Sequence, residues 1–159
     1  MSQSRLIDGL QFARGGGELK GTLDGSSLPR LAEMRCAAQG LSFELRGRTD
    51  AQGRYWLQVS AEGTLTLECQ RCLGPIGFPL ALRSELLLAQ SEQEIESADD
   101  EIDRVLAGKA MDVGQLVEDE VILALPMAPR HEQCGGKRDG TEAGQSSPFV
   151  GLARLKQIQ

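Results

Sequence analysis

The stretch LSFELRGRTDAQGRYWLQVSAEGTLTLECQRC, residues 41–72, decides the fold because its apolar residues recur at every second position. Three runs show this alternation: residues 41–45, 55–59 and 65–69. The polar breaks between them, at 49–53 and 61–63, are short enough to be hairpin loops. The pattern therefore predicts three antiparallel strands, and residues 78–88 predict a fourth strand with one apolar face.

A helix is predicted after the strands. Asp112 is followed three positions later by Gln115, as in a capping box, and apolar residues then recur at helical spacing until Pro126. The carboxylates at 118–120 point about 100° apart on such a helix, so we expect them on its solvated face. Residues 1–159 are thus predicted to form one α+β domain, in which an antiparallel sheet of four or more strands has one helix and short amino-terminal elements packed on one face.

Two segments have compositions typical of flexible chain. Residues 91–103 contain seven carboxylates and no basic side chain, and we expect a flexible acidic loop exposed to solvent. Residues 135–147 are rich in glycine, serine and charge, which predicts a second flexible segment.

The charge and the hydropathy pattern exclude several classes of protein. A formal net charge of -6 argues against a surface that binds nucleic acid over its whole extent, so any RNA contact has to be local. No signal-peptide pattern and no run of about 18 apolar residues occur. We expect a cytoplasmic protein without a membrane partner, whose four cysteines stay reduced.

The most specific chemical motif is CQRC, in which Cys69 and Cys72 stand where a predicted strand meets the turn at 74–75. Two thiolates at this spacing can bind one metal ion, and His131 with Cys134 offers a second pair at the same spacing. Together they would form a Cys3His zinc site if the fold brings the pairs together. The alternative is that the cysteines pack in the core. A thioredoxin-like redox role is disfavoured, because Gly-Pro at 74–75 stops the helix that such a motif opens.

Basic side chains near these cysteines are candidate contacts for a partner or for RNA. Arg71 lies between the two cysteines, where a turn could hold its guanidinium outward to meet a phosphate or a carboxylate. An ordinary solvated arginine is the alternative. Arg130, Lys137 and Arg138 are the other candidates, and they form no run of the length expected for a nucleic-acid patch.

The sequence contains few of the motifs that are typical of enzymes. It has one histidine and contains no nucleophile elbow, phosphate-binding loop or dinucleotide fingerprint. We therefore expect a binding protein and not an enzyme.

Three blocks carry a further signal: LTLECQRC at 65–72, MDVGQLVEDEVILALPMAPRHEQC at 111–134 and SPFVGLARLK at 147–156. In this order they resemble the YceD family of large ribosomal RNA accumulation proteins. The resemblance implies a bacterial ribosome biogenesis factor that binds a large-subunit RNA precursor or a ribosomal protein.

The resemblance also carries over motif positions without established roles. Among these, Glu118 and Glu120 become candidate partner-binding residues. Many relatives have further cysteines after the position of Cys134, whereas none follow here, so His131 would have to complete a metal site. Two alternatives stay open: an RNA-processing enzyme such as a nuclease, and a zinc-dependent protein adaptor that does not touch RNA.

Overall fold

The computed structural model describes residues 5–134, and a five-stranded sheet dominates it. The elements are β1 (Leu6–Ile7), α1 (Gly9–Arg14), β2 (Glu18–Leu23), α2 (Pro29–Glu33), β3 (Ala37–Thr49), β4 (Tyr55–Glu68), β5 (Pro75–Ala89), α3 (Glu92–Glu96), β6 (Arg104–Leu106), β7 (Met111–Asp112) and α4 (Val113–Ala124). The sheet has the order β2-β3-β4-β5-β6, and β1 pairs with β7 in a separate two-stranded sheet.

The long strands follow the period of two seen in the sequence. β3, β4 and β5 are antiparallel neighbours, and the predicted hairpin between β3 and β4 is confirmed by the pairing of Thr49 with Tyr55. The predicted hairpin at 61–63 is wrong, because β4 runs through it without a break. Gly63 pairs with Leu41 of β3 and Leu80 of β5, and a side chain on it would come within 3.0 Å of the Gly40 carbonyl. This glycine permits close strand packing and does not make a turn.

The predicted fold class, an antiparallel sheet with one helix, is wrong in two respects. β6 pairs parallel with β5, so the sheet is mixed. Residues 5–134 also contain four α-helices, with 42% of residues in strands and 24% helical. α1, α2 and α3 each span only five or six residues, which is too short to show a helical period in the sequence.

The core lies on one face of the sheet, against α1 and α4. Its centre on β3 and β4 is formed by the fully buried residues Leu45, Leu57, Val59 and Leu65. Burial of each leucine side chain contributes about 2 kcal/mol. On β3, a Cβ at Gly47 would lie 2.6 Å from the Cα of Ala13, so only glycine lets α1 approach the sheet this closely.

The predicted helix is confirmed as α4. The Asp112 carboxylate accepts the backbone N–H groups of Gly114 and Gln115, as a cap does, and the helix ends at Ala124 before Pro126. The prediction that the carboxylates at 118–120 lie on a solvated face is wrong for two of the three, since only Asp119 is half-exposed. Glu118 is 2% exposed and Glu120 is 8% exposed, because α4 is packed on more than one side: the sheet covers one face and α2 contacts another.

The acidic segment contains an element that its composition does not predict. Residues 92–96 form α3, capped by the Ser91 hydroxyl, and Asp100 pairs with Arg104. The flexibility of 91–103 stays a prediction, and the predicted flexible segment 135–147 lies outside the described residues. Between residues 5 and 134, no helix is both long enough and apolar enough to cross a membrane.

Candidate metal centre

Four side chains from two distant parts of the chain meet where β4 turns into β5. The ligand atoms of Cys69, Cys72, His131 and Cys134 all lie within 4.8 Å of one another. The Sγ atoms of Cys69 and Cys134 are 3.7 Å apart, and Cys72 Sγ is 3.3 Å from His131 Nδ1. In a tetrahedral zinc site, with Zn–S of about 2.3 Å and Zn–N of about 2.0 Å, neighbouring ligand atoms lie about 3.5–3.8 Å apart. The cluster could therefore hold a metal ion.

The turn between β4 and β5 positions the first two candidate ligands, Cys69 and Cys72. Its ends are closed by hydrogen bonds from the Cys69 N–H to the Gly74 carbonyl (2.8 Å) and from the Leu73 N–H to the Cys69 carbonyl (2.9 Å). Leu73 has φ +60°, a left-handed conformation that leucine rarely adopts. The chain reverses its direction at this turn, so the sulfur of Cys72 lies within 4.8 Å of the sulfur of Cys69. Cys69 is fully buried.

The segment after α4 supplies the other two candidate ligands, His131 and Cys134. The Gln70 N–H donates to the Pro129 carbonyl at 2.9 Å, which ties this segment to the turn. His131 Nε2 lies 3.0 Å from the Pro75 carbonyl. A neutral imidazole that donates from Nε2 keeps the Nδ1 lone pair free for a metal, and Nδ1 is the atom that faces the sulfurs. Sequence reasoning missed both carbonyls, because backbone acceptors leave no signal in residue type.

Arg71 lies against the cluster and not away from it. Its Nε donates to Cys134 Sγ at 3.0 Å, and its Nη2 donates to the His131 carbonyl at 3.2 Å. The sequence predicted that a turn would hold this guanidinium outward, whereas its Nε contacts Cys134 Sγ, one of the candidate ligand atoms. A positive charge in this position stabilises the Cys134 thiolate and orients the loop that carries it.

The electrostatics of the cluster favour thiolates at two of the three cysteines. Burial raises the pKa of the Cys69 thiol, but hydrogen bonds from surrounding backbone N–H groups outweigh it and lower this pKa to about 5. The Arg71 guanidinium lowers the pKa of Cys134. At Cys72 the Gly74 N–H lowers the pKa, yet desolvation and the neighbouring thiols raise it overall. A third thiolate in this volume is stable only beside a cation.

The fourth cysteine has a different environment. Cys36 is buried in the hydrophobic core, and burial raises the pKa of its thiol. It lies outside the four-residue cluster. The core-packing alternative considered for the cysteines therefore describes Cys36.

The remaining predicted partner-binding residues are dispersed. Arg130 is exposed beside His131, and no ion pair of its side chain occurs within residues 5–134. Glu118 and Glu120 are buried on α4. Lys137 and Arg138 lie outside the described residues. Their roles in binding stay predictions.

A family of known proteins matches this chain. The family model described as Large ribosomal RNA subunit accumulation protein YceD matches residues 57–156. The matched range begins in β4 and contains all four residues of the cluster. No solved structure matches the chain.

Proposed function

Because the chain belongs to the YceD family of large ribosomal RNA subunit accumulation proteins, we propose that it binds a component of the large-subunit precursor through a surface that zinc holds in place. The family description indicates a part in the accumulation of large-subunit ribosomal RNA. Our proposal adds how the protein takes part in this accumulation: it acts by binding a partner and not by catalysing a reaction. The observation that carries it is the meeting of Cys69, Cys72, His131 and Cys134 at distances that suit one tetrahedral ion.

The donor set supports zinc in a structural role. Thiolate and imidazole ligands favour zinc over magnesium or calcium, which prefer oxygen. With four protein ligands, a tetrahedral ion has no open position for water or substrate. Such an ion would fix the turn at 69–74 to the segment after α4. Its contribution would be to the shape of this end of the molecule.

A nuclease is the less supported alternative. Metal-dependent nucleases use carboxylates around metal ions with exchangeable positions. The two candidate carboxylates on α4, Glu118 and Glu120, are buried, and Glu118 is hydrogen-bonded to α2. Neither fact suits a site that has to admit an RNA backbone.

The charge of the chain favours a basic protein over RNA as the direct partner. The formal net charge is -6, and residues 91–103 concentrate seven carboxylates beside β6. Such a surface repels phosphate and attracts lysine and arginine. We therefore propose a biogenesis factor that acts as a zinc-dependent adaptor. Its direct partner would be a basic protein of the large-subunit precursor.

The test combines a deletion strain with two cysteine variants. Loss of the gene should lower the ratio of large- to small-subunit ribosomal RNA. Wild type and Cys36→Ala should restore the ratio, whereas Cys72→Ser should not. Purified wild type and Cys36→Ala should each contain about one equivalent of zinc, and Cys72→Ser should lose it together with stability. Cys36→Ala is the matched control, because it removes a cysteine outside the cluster.

Two results would contradict the proposal. An unchanged RNA ratio in the deletion strain at every growth temperature would exclude the function. Absence of metal in the purified wild type, with all thiols reactive in denaturant, would exclude the zinc site.

A further inference from the structure

We infer that the open edge of β5 binds an extended, basic segment of a partner protein, which adds a strand to the sheet. This inference rests on the proposed function and names the surface and the chemistry of the partner. It is carried by a row of backbone groups between Gly77 and Glu85 that have no hydrogen-bond partner among residues 5–134.

The pairing of β5 leaves one side of the strand uncovered. β4 pairs with β5 from Pro75 to Leu87, but β6 on the other side pairs only with Leu87, Leu88 and Ala89. The uncovered stretch from 77 to 85 is about 30 Å long at about 3.3 Å per residue. The opposite edge of the sheet, β2, is shorter and has Arg5 hydrogen-bonded to the Lys20 carbonyl.

The direction of the free groups follows from the contacts at the two ends of the edge. Leu87 N–H donates to Asp103, the Ala89 carbonyl accepts from Ala107, and the Pro75 carbonyl contacts His131. Every second residue of a strand directs its N–H and C=O to the same side. The groups that point outward therefore belong to Gly77, Pro79, Ala81, Arg83 and Glu85. Proline, which has no N–H to donate to a ladder, suits an outward position on an edge strand.

The side chains beside this edge leave room for another strand. On the outer face, Gly77, Pro79 and Ala81 are small and exposed, and a Cβ at Gly77 would have no atom within 4 Å. On the core face, Phe78 and Leu82 pack on the core but are only partly buried. An added strand with apolar residues at alternate positions would cover this remaining surface.

Charge identifies which extended segment fits. The Asp103 carbonyl accepts from Leu87, so the acidic segment 91–103 lies at the end of the open edge. Within it, Asp100 is paired with Arg104, and the Glu94 carboxylate accepts the Gln90 N–H. The carboxylates with neither an ion pair nor a hydrogen bond to a described residue are Glu92, Glu96, Asp99, Glu101 and Asp103. A segment whose lysines or arginines lie at that end would meet them. RNA offers no regular row of amide groups to match the edge.

The experiment measures amide hydrogen exchange by NMR on the full chain, with and without synthetic peptides. Each peptide has valine at alternate positions and three lysines at one end, the amino end in one and the carboxyl end in the other. In the free protein, the N–H groups of Gly77, Ala81, Arg83 and Glu85 should exchange fast, while those of Phe78 and Leu80 should be protected. One peptide should slow the four fast amides about tenfold or more, which corresponds to about 1.4 kcal/mol.

A matched pair of variants tests the edge itself. Ala81→Pro removes one outward N–H without touching the ladder to β4, and it should weaken peptide binding about tenfold. Ala81→Ser keeps the N–H and should bind as wild type does. The slowing of amide exchange by a peptide is measured on the wild-type protein. The inference therefore stays testable even if Ala81→Pro folds poorly.

Three results would overturn the inference. The first is slow exchange of the four amides in the free full chain, which would mean that the edge is already paired. The second is the absence of protection with either peptide. The third is protection by single-stranded RNA instead. If peptide binding fails while the deletion strain still loses large-subunit RNA, the proposed function stands and only the edge is excluded.

Discussion

The carboxylate of Glu118 on α4 accepts the backbone N–H of Arg30 on α2 at 2.8 Å, and its second oxygen accepts the Arg30 Nε at 3.1 Å. The Leu31 N–H adds a third hydrogen bond at 3.0 Å. N–H groups in the first turn of a helix have no acceptor within the helix. A single buried side chain therefore satisfies the start of α2 and joins the two helices.

We expect Glu118→Gln to destabilise the fold. The amide loses the charge and has only one acceptor oxygen, so its NH2 group must face a donor, either the two backbone N–H groups or the Arg30 Nε. The free energy of unfolding should therefore fall by about 2–4 kcal/mol in urea titrations. Asp119→Asn is the control, because Asp119 meets only the Arg30 side chain and is half-exposed. Its cost should be under about 1 kcal/mol. Equal losses in the two variants would show that Glu118 acts only through the surface ion pair.

Arg71 should tune the affinity of the proposed zinc site. Removal of its hydrogen bonds to Cys134 and His131 in Arg71→Met should weaken zinc binding about 10- to 100-fold. The measurement is competition with a chelator of known affinity. Arg130→Met changes a neighbouring arginine that makes no described ion pair, and it should retain the wild-type affinity. A similar loss in both variants would point to a general effect of charge.

Asp50 should make the stability depend on pH in the acid range. Desolvation raises the pKa of this carboxyl, but hydrogen bonds from Trp56 and Arg54 outweigh it and hold the pKa well below its ordinary value of 3.8. The ionised form therefore stabilises the fold above about pH 3.8. This stabilisation is lost as the pH falls below that value toward the pKa of the folded state.

We expect Asp50→Asn to lower the Tm at pH 7, with a difference from wild type that shrinks below about pH 3.8. Fluorescence reports the site directly, because Trp56 is the one tryptophan in the chain. Glu62→Gln removes an exposed carboxylate from the same sheet and should leave the Tm unchanged. A constant difference between Asp50→Asn and wild type across the pH range would exclude the charge as its cause.

Neutralising the acidic segment should slow association with a basic partner. The variant replaces Glu92, Glu96, Asp99, Glu101 and Asp103 by their amides, and retains Asp100 and Glu94 because both make hydrogen bonds. The Tm should not change, while the on-rate for the lysine-tailed peptide should fall and its salt dependence should flatten. A control variant neutralised at exposed positions elsewhere changes Glu33, Glu62 and Glu132. Equal on-rates in the two variants would make the acidic segment a linker.

The elements that could be predicted from the sequence are those long enough to repeat their apolar pattern several times. β3, β5 and α4 are of this kind, and the Asp112 cap marked the start of α4 correctly. The break at 61–63 failed as a prediction because Ala-Glu-Gly resembles a turn, and only pairing on both sides of β4 shows that it is a strand. The three residues of β6 carry too little pattern to be recognised.

The prediction that Glu118 faces solvent failed for a different physical reason. A helical projection gives the angle between side chains but not the number of faces that are covered. α4 is covered on a second face by α2, which lies more than 80 positions earlier in the chain. At the candidate metal centre, the spacing of the two residue pairs identified the four residues that the fold brings together. The direction of Arg71 depends on the backbone of the turn, which the spacing does not determine.

Cys72 and His131 are 59 positions apart in the chain. The two halves of the cluster are therefore synthesised at different times. At about 5–20 residues per second, a ribosome makes the first pair of cluster residues roughly three or more seconds before the second pair. β5, β6 and α4 are all made in that interval. A chain released too early would carry only two of the four residues of the cluster. Completion of the four-residue cluster therefore marks a chain whose sheet and core helix have already been made.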